Sequence, residues 1–419
     1  VNLDATNMND IAGPSWIFPH ILILSKAYTE KGIYYNLFNN NSDLYKWLGS
    51  LLEKESDDNK IDEIIKSFNY ENLSDLQKID TSLKWIQKNI RYIAYEDGIA
   101  GFKPESTKML LTNKYGDCKG MANLCYFMLK KMGLDARRCW IGTNRIAYKE
   151  KYPSLSSDNH MICAVKTDSG FLYLDATDKY SYLDEVGSHI QNCLVAIESG
   201  DTAIIDTIHA KQKIHNTIIG KADMKLENED YIITKSVVYT GENRKLILSI
   251  MESITGADRI EFLEYIMGAS NNKIEIDSIF YGLDNEKKEF KIESEQRASK
   301  FIFNQIGKTF IPMDIEFGSK LMKIDANRKE HYNLGFSDYK EYSGTLLLKE
   351  GTIIDYLPDN KTYNSEGFSF SFCWERIENK IIYTKKLEIK NRIIKPDQFE
   401  EWNSFVEEYN TIADELIIL

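Results

Sequence analysis

The sequence predicts an α+β protein with a β-rich, β-sandwich-like C-terminal region. Two observations support this fold class. Apolar residues recur at helical spacing between residues 42 and 133, and short alternating stretches separated by turn residues follow them. Helices first and antiparallel strands second is the order of an α+β core, in which helices pack on an antiparallel sheet. At 419 residues the chain is too long for one core and predicts two or three domains.

The composition is that of an ordinary soluble globular protein, with 43% hydrophobic and 28% charged residues. The net charge of −12 argues against a nucleic-acid partner, because phosphate binding needs a basic surface. No apolar run approaches the ~20 residues of a transmembrane helix. Six cysteines without a CxxC pair are too few for a disulfide framework and do not suggest a zinc ribbon. The sequence leaves the oligomeric state open.

Changes in the spacing of apolar residues divide the chain into three regions, 1–41, 42–207 and 208–419. The last region is considered as two possible subdomains, 208–325 and 326–419. The first region has strand patterns at Trp16–Leu24 and Ile33–Phe38 and looks like the end of a domain that begins upstream. The chain begins with Val1 and no signal-peptide pattern follows, so we infer a processed or truncated chain.

The elements of the core region are assigned from apolar spacing and from end signals. Three apolar stripes predict helices at 44–52, 61–68 and 76–90, and Ser74 with Gln77 forms a capping box before the third. A short strand follows near Tyr92, and Gly98–Lys114 is predicted to be a loop. A further helix starts at Cys118 and ends near Gly133. Strands are predicted at 135–141, 160–166 and 171–176.

The C-terminal region alternates polar and apolar residues, which predicts strands at Tyr231–Tyr239, Glu289–Glu293, Gly344–Leu348 and Ile381–Ile389. Helical spacing interrupts this pattern at 255–268 and returns at Pro396–Tyr409. The region is therefore expected to be mainly sheet.

The first candidate catalytic residue is a cysteine at the start of a strong amphipathic helix. Cys118 lies in the segment YGDCKGMA, where Gly116 allows a sharp turn and Asp117 can cap the helix. Unpaired N–H groups and the helix dipole at such an end stabilise a thiolate, the nucleophilic form of cysteine. A lone cysteine is more often a small buried residue, so this prediction depends on partner residues.

His160 and Asp175 are the predicted partners, and strand arithmetic places them together. A two- or four-residue loop between their strands pairs Lys166 with Phe171, and therefore residue 162 with Asp175. Side chains at 160 and 162 share a face, so Asp175 lies on the face of His160, one diagonal away. A three-residue loop would break this parity. The distance suits a carboxylate that orients an imidazole.

These residue types predict acyl transfer by a cysteine nucleophile. Cys118 attacks a carbonyl, His160 takes the thiol proton and returns it to the leaving amine, and Asp175 holds the tautomer of His160. A metal site made from the same three residues lacks a fourth ligand, so we predict no metal and no cofactor.

The oxyanion hole is predicted only in part. The backbone N–H of Cys118 is one expected donor. A second donor is not fixed by the sequence, and the upstream candidates are Gln87, Trp85 and Tyr92. Each of these three is more often a core or surface residue of its own element.

Taken together, these segments resemble the transglutaminase-like superfamily, most strongly over about 42–195. The resemblance rests on IRYIA at 90–94, FKP at 102–104, GDCK at 116–119, His160, and LDAT at 174–177. It implies a papain-like core with Cys118, His160 and Asp175 at the three catalytic positions. Within this superfamily, the chain resembles multidomain bacterial proteins in which the core lies between β-rich domains. This resemblance implies that 1–41 is the remnant of an N-terminal β domain. It also implies an extracytoplasmic location, periplasmic or at the cell surface.

Two functions are carried forward. The first is cysteine-dependent acyl transfer on protein or peptide amides, either hydrolysis by a protease or amidase, or transamidation. The second is a catalytically silent surface or envelope binding module. The family often has an acidic residue where this chain has Gly120, which allows the second function, whereas the three intact residues favour the first. The polar stretch Thr143–Asn159 either borders the cleft or is a solvated loop.

Overall fold

The computed structural model describes residues 22–53, 59–146, 152–209, 216–227, 230–269, 273–313 and 320–419. These residues form two compact units that divide between residues 209 and 216. The strand pattern at Trp16–Leu24 lies mostly outside the described residues. The domain bounds given above stay predictions.

The N-terminal unit contains helices followed by antiparallel strands, in the predicted order. Its helices are α1 (Asn41–Ser50), α2 (Asn59–Ser67), α3 (Asp75–Asn89), α4 (Thr107–Asn113) and α5 (Cys118–Lys131). Its strands are β1 (Ala27–Glu30), β2 (Ile33–Asn36), β3 (Arg91–Tyr92), β4 (Tyr115–Gly116), β5 (Ala136–Ile141), β6 (His160–Thr167), β7 (Gly170–Leu174), β8 (Leu194–Ser199) and β9 (Thr202–Thr207).

A five-stranded antiparallel sheet, in the order β7-β6-β5-β8-β9, is the centre of this unit. Helices α2 to α5 share a buried apolar cluster with β5, β6 and β7, and α1 packs with the N-terminal turn of α5 in a second cluster. Both clusters exclude apolar surface from water, which is the main force that holds helices on a sheet. The predicted arrangement of helices on an antiparallel sheet is therefore confirmed.

Local end signals explain where the helices begin. The predicted capping box of α3 is present, with Ser74 and Gln77 each accepting a backbone hydrogen bond. One prediction was wrong, because Gly98–Lys114 is not all loop: α4 begins after Ser106, whose hydroxyl accepts a hydrogen bond from the backbone N–H of Met109. Seven residues of helix are too short to give a periodic apolar pattern in the sequence.

The C-terminal unit is β-rich, as predicted. Its strands are β10 (Thr217–Glu227), β11 (Asp230–Tyr239), β12 (Ile274–Asp284), β13 (Glu289–Ala298), β14 (Phe303–Gln305), β15 (Lys308–Pro312), β16 (Tyr332–Asn333), β17 (Asp338–Leu347), β18 (Lys361–Asn364), β19 (Phe368–Ile377), β20 (Lys380–Ile389), β21 (Ile393–Ile394) and β22 (Leu416–Ile418). Its helices are α6 (Gly241–Ser253), which the sequence pattern missed, α7 (Ala257–Glu264) and α8 (Phe399–Ala413).

The β-sandwich expectation needs a correction in its detail. Eight strands form one sheet, in the order β12-β13-β11-β10-β17-β20-β19-β18, which runs across residue 326. One face carries the buried residues, and it packs partly on α8 and the small sheet β14-β15-β22, and partly on α6 and α7. Helices thus supply much of the cover that a second full sheet would give in a sandwich. In the described residues, no helix is both long and apolar enough to cross a membrane.

Candidate active site

Cys118 is the first residue of α5 and is only 3% exposed. The side chain of Asp117 caps the helix, accepting a hydrogen bond from the backbone N–H of Gly120 at 3.0 Å. The parallel pairing of β3 with β4 sets Tyr92 opposite Gly116, immediately before the helix. The Cys118 sulfur therefore lies at a capped helix N-terminus, where backbone N–H groups lack helical partners.

Two glycines make room for this turn. A Cβ atom on Gly116 would lie 2.1 Å from Leu110 Cδ1 and 2.3 Å from Glu105 Oε1, so no larger residue fits there without movement. A Cβ atom on Gly120 would lie 3.1 Å from Glu105 Cγ, which is tight. The space beside Gly120 is thus occupied by Glu105, an acidic side chain from another part of the chain. Burial and the neighbouring Asp117 raise the pKa of Glu105, against the opposing effect of Lys119.

His160 and Asp175 lie on one face, as the hairpin arithmetic predicts. Lys166 pairs with Phe171 across the two-residue loop. His160 is the first residue of β6, Asp175 directly follows β7, and His160 Nε2 lies 2.9 Å from Asp175 Oδ2. Both side chains are buried, with 8% and 5% of their surfaces exposed. The pair is therefore preorganised away from bulk water.

The carboxylate of Asp175 is surrounded by donors. Its Oδ1 accepts hydrogen bonds from the backbone N–H and the hydroxyl of Thr177, at 3.0 and 2.7 Å. Burial alone would raise the pKa of Asp175, but the charge and hydrogen bond of His160, together with His189, hold it well below its usual range. An ionised carboxylate only accepts, so the Nε2 of His160 carries a hydrogen and Nδ1 is the ring atom left for the thiol.

Cys118 is also close enough to the imidazole of His160 to influence its pKa. Burial alone would lower the pKa of His160, but the charge and hydrogen bond of Asp175 and the contact with Cys118 raise it to about 10. The ring therefore keeps its proton at neutral pH. A cationic imidazole beside a thiol stabilises the thiolate, so these contacts form the arrangement that nucleophilic cysteine chemistry needs.

His189 is a site residue that sequence reasoning missed. Its Nε2 lies 2.9 Å from the same Oδ2 atom of Asp175 that His160 contacts, and the two imidazole rings meet edge to face at 5.7 Å. A Cβ atom on Gly187 would come within 2.6 Å of the His189 ring, so this glycine makes room for it. The signal was weak, because His189 lies in an irregular segment between strands.

One group of described residues has ligand atoms close enough together to hold a metal ion. It consists of His160, Asp175 and His189, whose ligand atoms all lie within 4.8 Å of one another. Both Nε2 atoms already donate to Asp175. A metal would have to displace these two hydrogen bonds, so the three side chains satisfy each other without one.

The three oxyanion candidates fall in different places. Gln87 is buried and donates its amide hydrogens to the carbonyls of Asp178 and Ser181, at 2.9 and 3.2 Å, so its role is to hold that loop. Trp85 packs at the edge of the α-helical cluster, with Lys114 Nζ 5.3 Å from its ring centre. The amide hydrogens of Gln87 are thus already engaged, and this choice is corrected on that ground, whereas Trp85 as a donor stays a prediction.

Tyr92 is the candidate whose pKa is affected by Cys118, and it pairs with Gly116, two residues before that cysteine. Burial raises the pKa of Tyr92 to about 12, and Cys118 and Glu96 add to this effect as negative neighbours. The phenol therefore keeps its hydrogen at neutral pH and can donate it. The donor expected first, the backbone N–H of Cys118, is at the first position of α5.

Cys118 and His160 open on one cavity of about 400 Å³. Its described lining comes from α1, from the segment 96–102, from β5 and β6, and from residues 146 and 154–159. The described residues 146, 154–156, 158 and 159 of the polar stretch Thr143–Asn159 therefore border the cleft, which is one of the two interpretations of this stretch. A cavity of this size is typical of a small-molecule or side-chain site.

The other cysteines are not at the site. All six are free thiols, and five of them are buried. Burial raises the pKa of Cys139 and of Cys163 well above the usual range, so these thiols are inert. Cys373 in β19 is exposed.

Comparisons with known proteins agree with the predicted resemblance. Residues 63–176 match the family model of the Transglutaminase-like superfamily, and residues 284–419 match a domain family of unknown function, DUF3858. No curated protein matches the chain. The structure is similar to the crystal structure of a proposed protease from Parabacteroides distasonis, with a TM-score of 0.54 and 12% identity over 96% of this chain. The chain covers 63% of that protein, less than two thirds of its length.

Proposed function

Residues 63–176 form a transglutaminase-like core, and from this premise we propose that the protein transfers acyl groups from protein or peptide amides through Cys118, His160 and Asp175. One observation carries the proposal. His160 Nε2 lies 2.9 Å from the ionised Asp175, and His160 and Cys118, at the N-terminus of α5, line the same cavity. The proposal keeps the papain-like core that the resemblance implies.

The reaction has two halves. The Cys118 sulfur, its proton held on His160, forms a bond to the amide carbonyl carbon, and the carbonyl π electrons move to oxygen. The tetrahedral intermediate collapses, the C–N bond breaks, and His160 gives its proton to the leaving amine. The thioester that remains is attacked by water or by an amine, which passes a proton to His160 as the C–S bond breaks. The products are an acid or a new amide, with the thiol site restored.

The remaining residues support these steps. Asp175 orients His160 and stabilises the imidazolium. Tyr92 and the Cys118 backbone N–H donate to the oxyanion, a contribution of about 2.7–4 kcal/mol per donor in well-studied cases. We assign His189 as a positioning residue, because it acts on the acyl-transfer group through Asp175.

The acceptor of the acyl group distinguishes the two reactions that this site can support. Hydrolysis uses water, whereas transamidation uses a lysine or another amine, and both pass through the same thioester. The similar protein from Parabacteroides distasonis is described as a proposed protease, and amide cleavage is the part of that description that we propose for this chain. The extracytoplasmic location implied by the resemblance stays a prediction.

The test is turnover. Peptide amides with a fluorogenic leaving amine report cleavage, and a labelled alkylamine offered to a protein substrate reports transamidation. We expect one of these activities in the wild type and its loss in Cys118→Ala and His160→Ala. The matched control is Cys373→Ser, which removes the exposed cysteine and should keep full activity. Inactivity in both assays with a diverse peptide library would favour the silent binding module instead.

A further inference from the structure

The wall of the cavity next to Cys118 is apolar, and it has a definite consequence for the substrate. We propose that the site selects amides whose acyl part carries a bulky apolar side chain and no negative charge. This inference rests on the proposed acyl-transfer function and specifies its substrate class.

Seven apolar side chains form this wall, which we call the apolar wall: Leu44, Leu48, Phe102, Trp140, Ile146, Leu155 and Met161. They come from α1, from the segment before α4, from β5 and β6, and from the loop before β6. Cys118 itself packs in the same buried cluster as Leu44, Trp140 and Met161. A group bound against this wall therefore lies beside the sulfur, where the acyl half of an amide must be.

The wall is rigid before any substrate arrives. Leu44 is fully buried and Leu48 is 4% exposed. The ring of Trp140 packs on Tyr45 with centroids 5.7 Å apart, and Phe102 meets the edge of Trp47 at 5.8 Å. Fixed aromatic contacts mean that little side-chain entropy is lost when a ligand binds, which favours selective binding over adaptation.

The charges around the cavity discriminate against acids. Lys119 and the protonated His160 are the cations among the described lining residues, and both are already paired. Lys119 Nζ lies 2.5 Å from Asp117 Oδ2, and His160 Nε2 lies 2.9 Å from Asp175 Oδ2. Glu96 and Asp158 also line the cavity. A carboxylate on the substrate would meet these two acidic groups and would find no unpaired cation among the described lining residues. The cavity volume of about 400 Å³ leaves room for a leucine or phenylalanine side chain and its backbone.

The first measurement compares matched fluorogenic amides that differ only in the acyl side chain. Leucine or phenylalanine in this position should give kcat/KM values at least about tenfold above glycine, since one methylene in an apolar pocket is already worth roughly 10-fold or more. The glutamate amide should be the poorest of the set. Equal rates across the set, or a preference for glutamate, would overturn the proposal.

A charge placed in the wall should change the preference. Leu155 is 38% exposed at the rim, so Leu155→Glu can fold normally. We expect it to lower kcat/KM for the leucine amide by about tenfold and to raise it for a lysine amide, by the same apolar and charge effects. Leu76→Glu is the matched control, since Leu76 is 60% exposed on α3 and is not in the lining. An unchanged preference in Leu155→Glu would contradict the assigned wall.

A binding measurement separates this proposal from the proposed function. Titration of Cys118→Ala with N-acetyl-leucine amide and N-acetyl-glutamate amide, followed by NMR, reports selection without turnover. Preferential binding of the leucine amide, with methyl shifts at Leu155, supports the apolar wall even if the wild type proves catalytically silent. Equal or absent binding of both amides, together with normal turnover, would overturn the apolar preference and leave acyl transfer standing.

Discussion

His189 donates a hydrogen bond to Asp175 at 2.9 Å, on the same carboxylate oxygen that His160 uses. The two imidazoles differ in environment, because the side chain of His189 is 37% exposed whereas that of His160 is 8% exposed. His189 helps to hold the pKa of Asp175 low, after the larger effect of His160. It therefore connects solvent to the carboxylate that contacts His160.

The first prediction concerns this residue. His189→Ala should lower kcat by about tenfold, the order expected for one lost hydrogen bond to a charged group. Because the Asp175 pKa should rise, the acid limb of the pH–rate profile should move to higher pH. His189→Gln, whose amide can donate in its place, should restore part of both effects. An unchanged profile and unchanged kcat in His189→Ala would exclude the positioning role.

The second prediction is a pH dependence of stability. The folded-state pKa of His160 is raised from 6.5 to about 10, so the stabilisation by the Asp175 pair is present in full below pH 6.5 and is lost as pH rises through about 10. Asp175→Asn should therefore cost about 3–5 kcal/mol of unfolding free energy at pH 6 and less at pH 10. Chemical denaturation at both pH values checks this.

The control for that experiment is a surface pair. Asp80→Asn breaks an ion pair with Lys84 at 2.6 Å on α3, and it should cost at most about 1 kcal/mol with no change between pH 6.5 and 10. NMR titration of His160 in the wild type gives an independent value. A pKa near 6.5, or a cost of Asp175→Asn that does not change with pH, would contradict the assigned pair.

The third prediction separates the oxyanion candidates. Tyr92→Phe should lower kcat by about 10² or more with little change in melting temperature, because Tyr92 is 43% exposed. Gln87→Met should instead lower stability by about 1–3 kcal/mol, since two buried carbonyls lose their donor. Kinetics and thermal melts on both variants check the assignment. Full kcat in Tyr92→Phe would remove Tyr92 from the oxyanion hole.

The fourth prediction concerns the turn before the helix. Gly116→Ala should destabilise the protein by about 1–3 kcal/mol, because its Cβ atom would overlap Leu110 and Glu105. Gly49→Ala in α1 is the matched control, where nothing lies within 4 Å of the new atom, and it should stabilise by up to about 1 kcal/mol. Urea unfolding gives both values. Equal effects of the two substitutions would show that the packing at Gly116 is not limiting.

Two features of the site could be predicted from the sequence, the shared face of His160 and Asp175 and the start of α5. The first follows from the alternation of side chains along a strand, and the second from the residues at the helix end. Parity placed His160 and Asp175 on one face, and the pairing of Lys166 with Phe171 follows that register. The cap of α5 at Asp117 was readable because side-chain caps are local. Both inferences need only neighbours in sequence or a short loop.

The parts that escaped prediction depend on contacts distant in sequence. His189 meets Asp175 from an irregular segment, and no spacing rule places such a residue. Gln87 was misassigned because its loop partners, which are 91 and 94 residues away, are not visible in the sequence. In the C-terminal unit the parallel pairing of β10 with β17 joins residues more than a hundred positions apart, and this pairing unites the strands in one sheet. Long-range pairing of this kind has no local signal.

The most direct test of the central claim is the alkylation rate of Cys118. The measurement uses iodoacetamide near neutral pH in a Cys373→Ser background, with labelling mapped by mass spectrometry, because Cys373 is the exposed thiol. We expect Cys118 to react faster than a model thiol, and we expect His160→Ala to abolish this advantage. A rate no faster than the model thiol, unchanged by His160→Ala, would contradict an activated cysteine at this site.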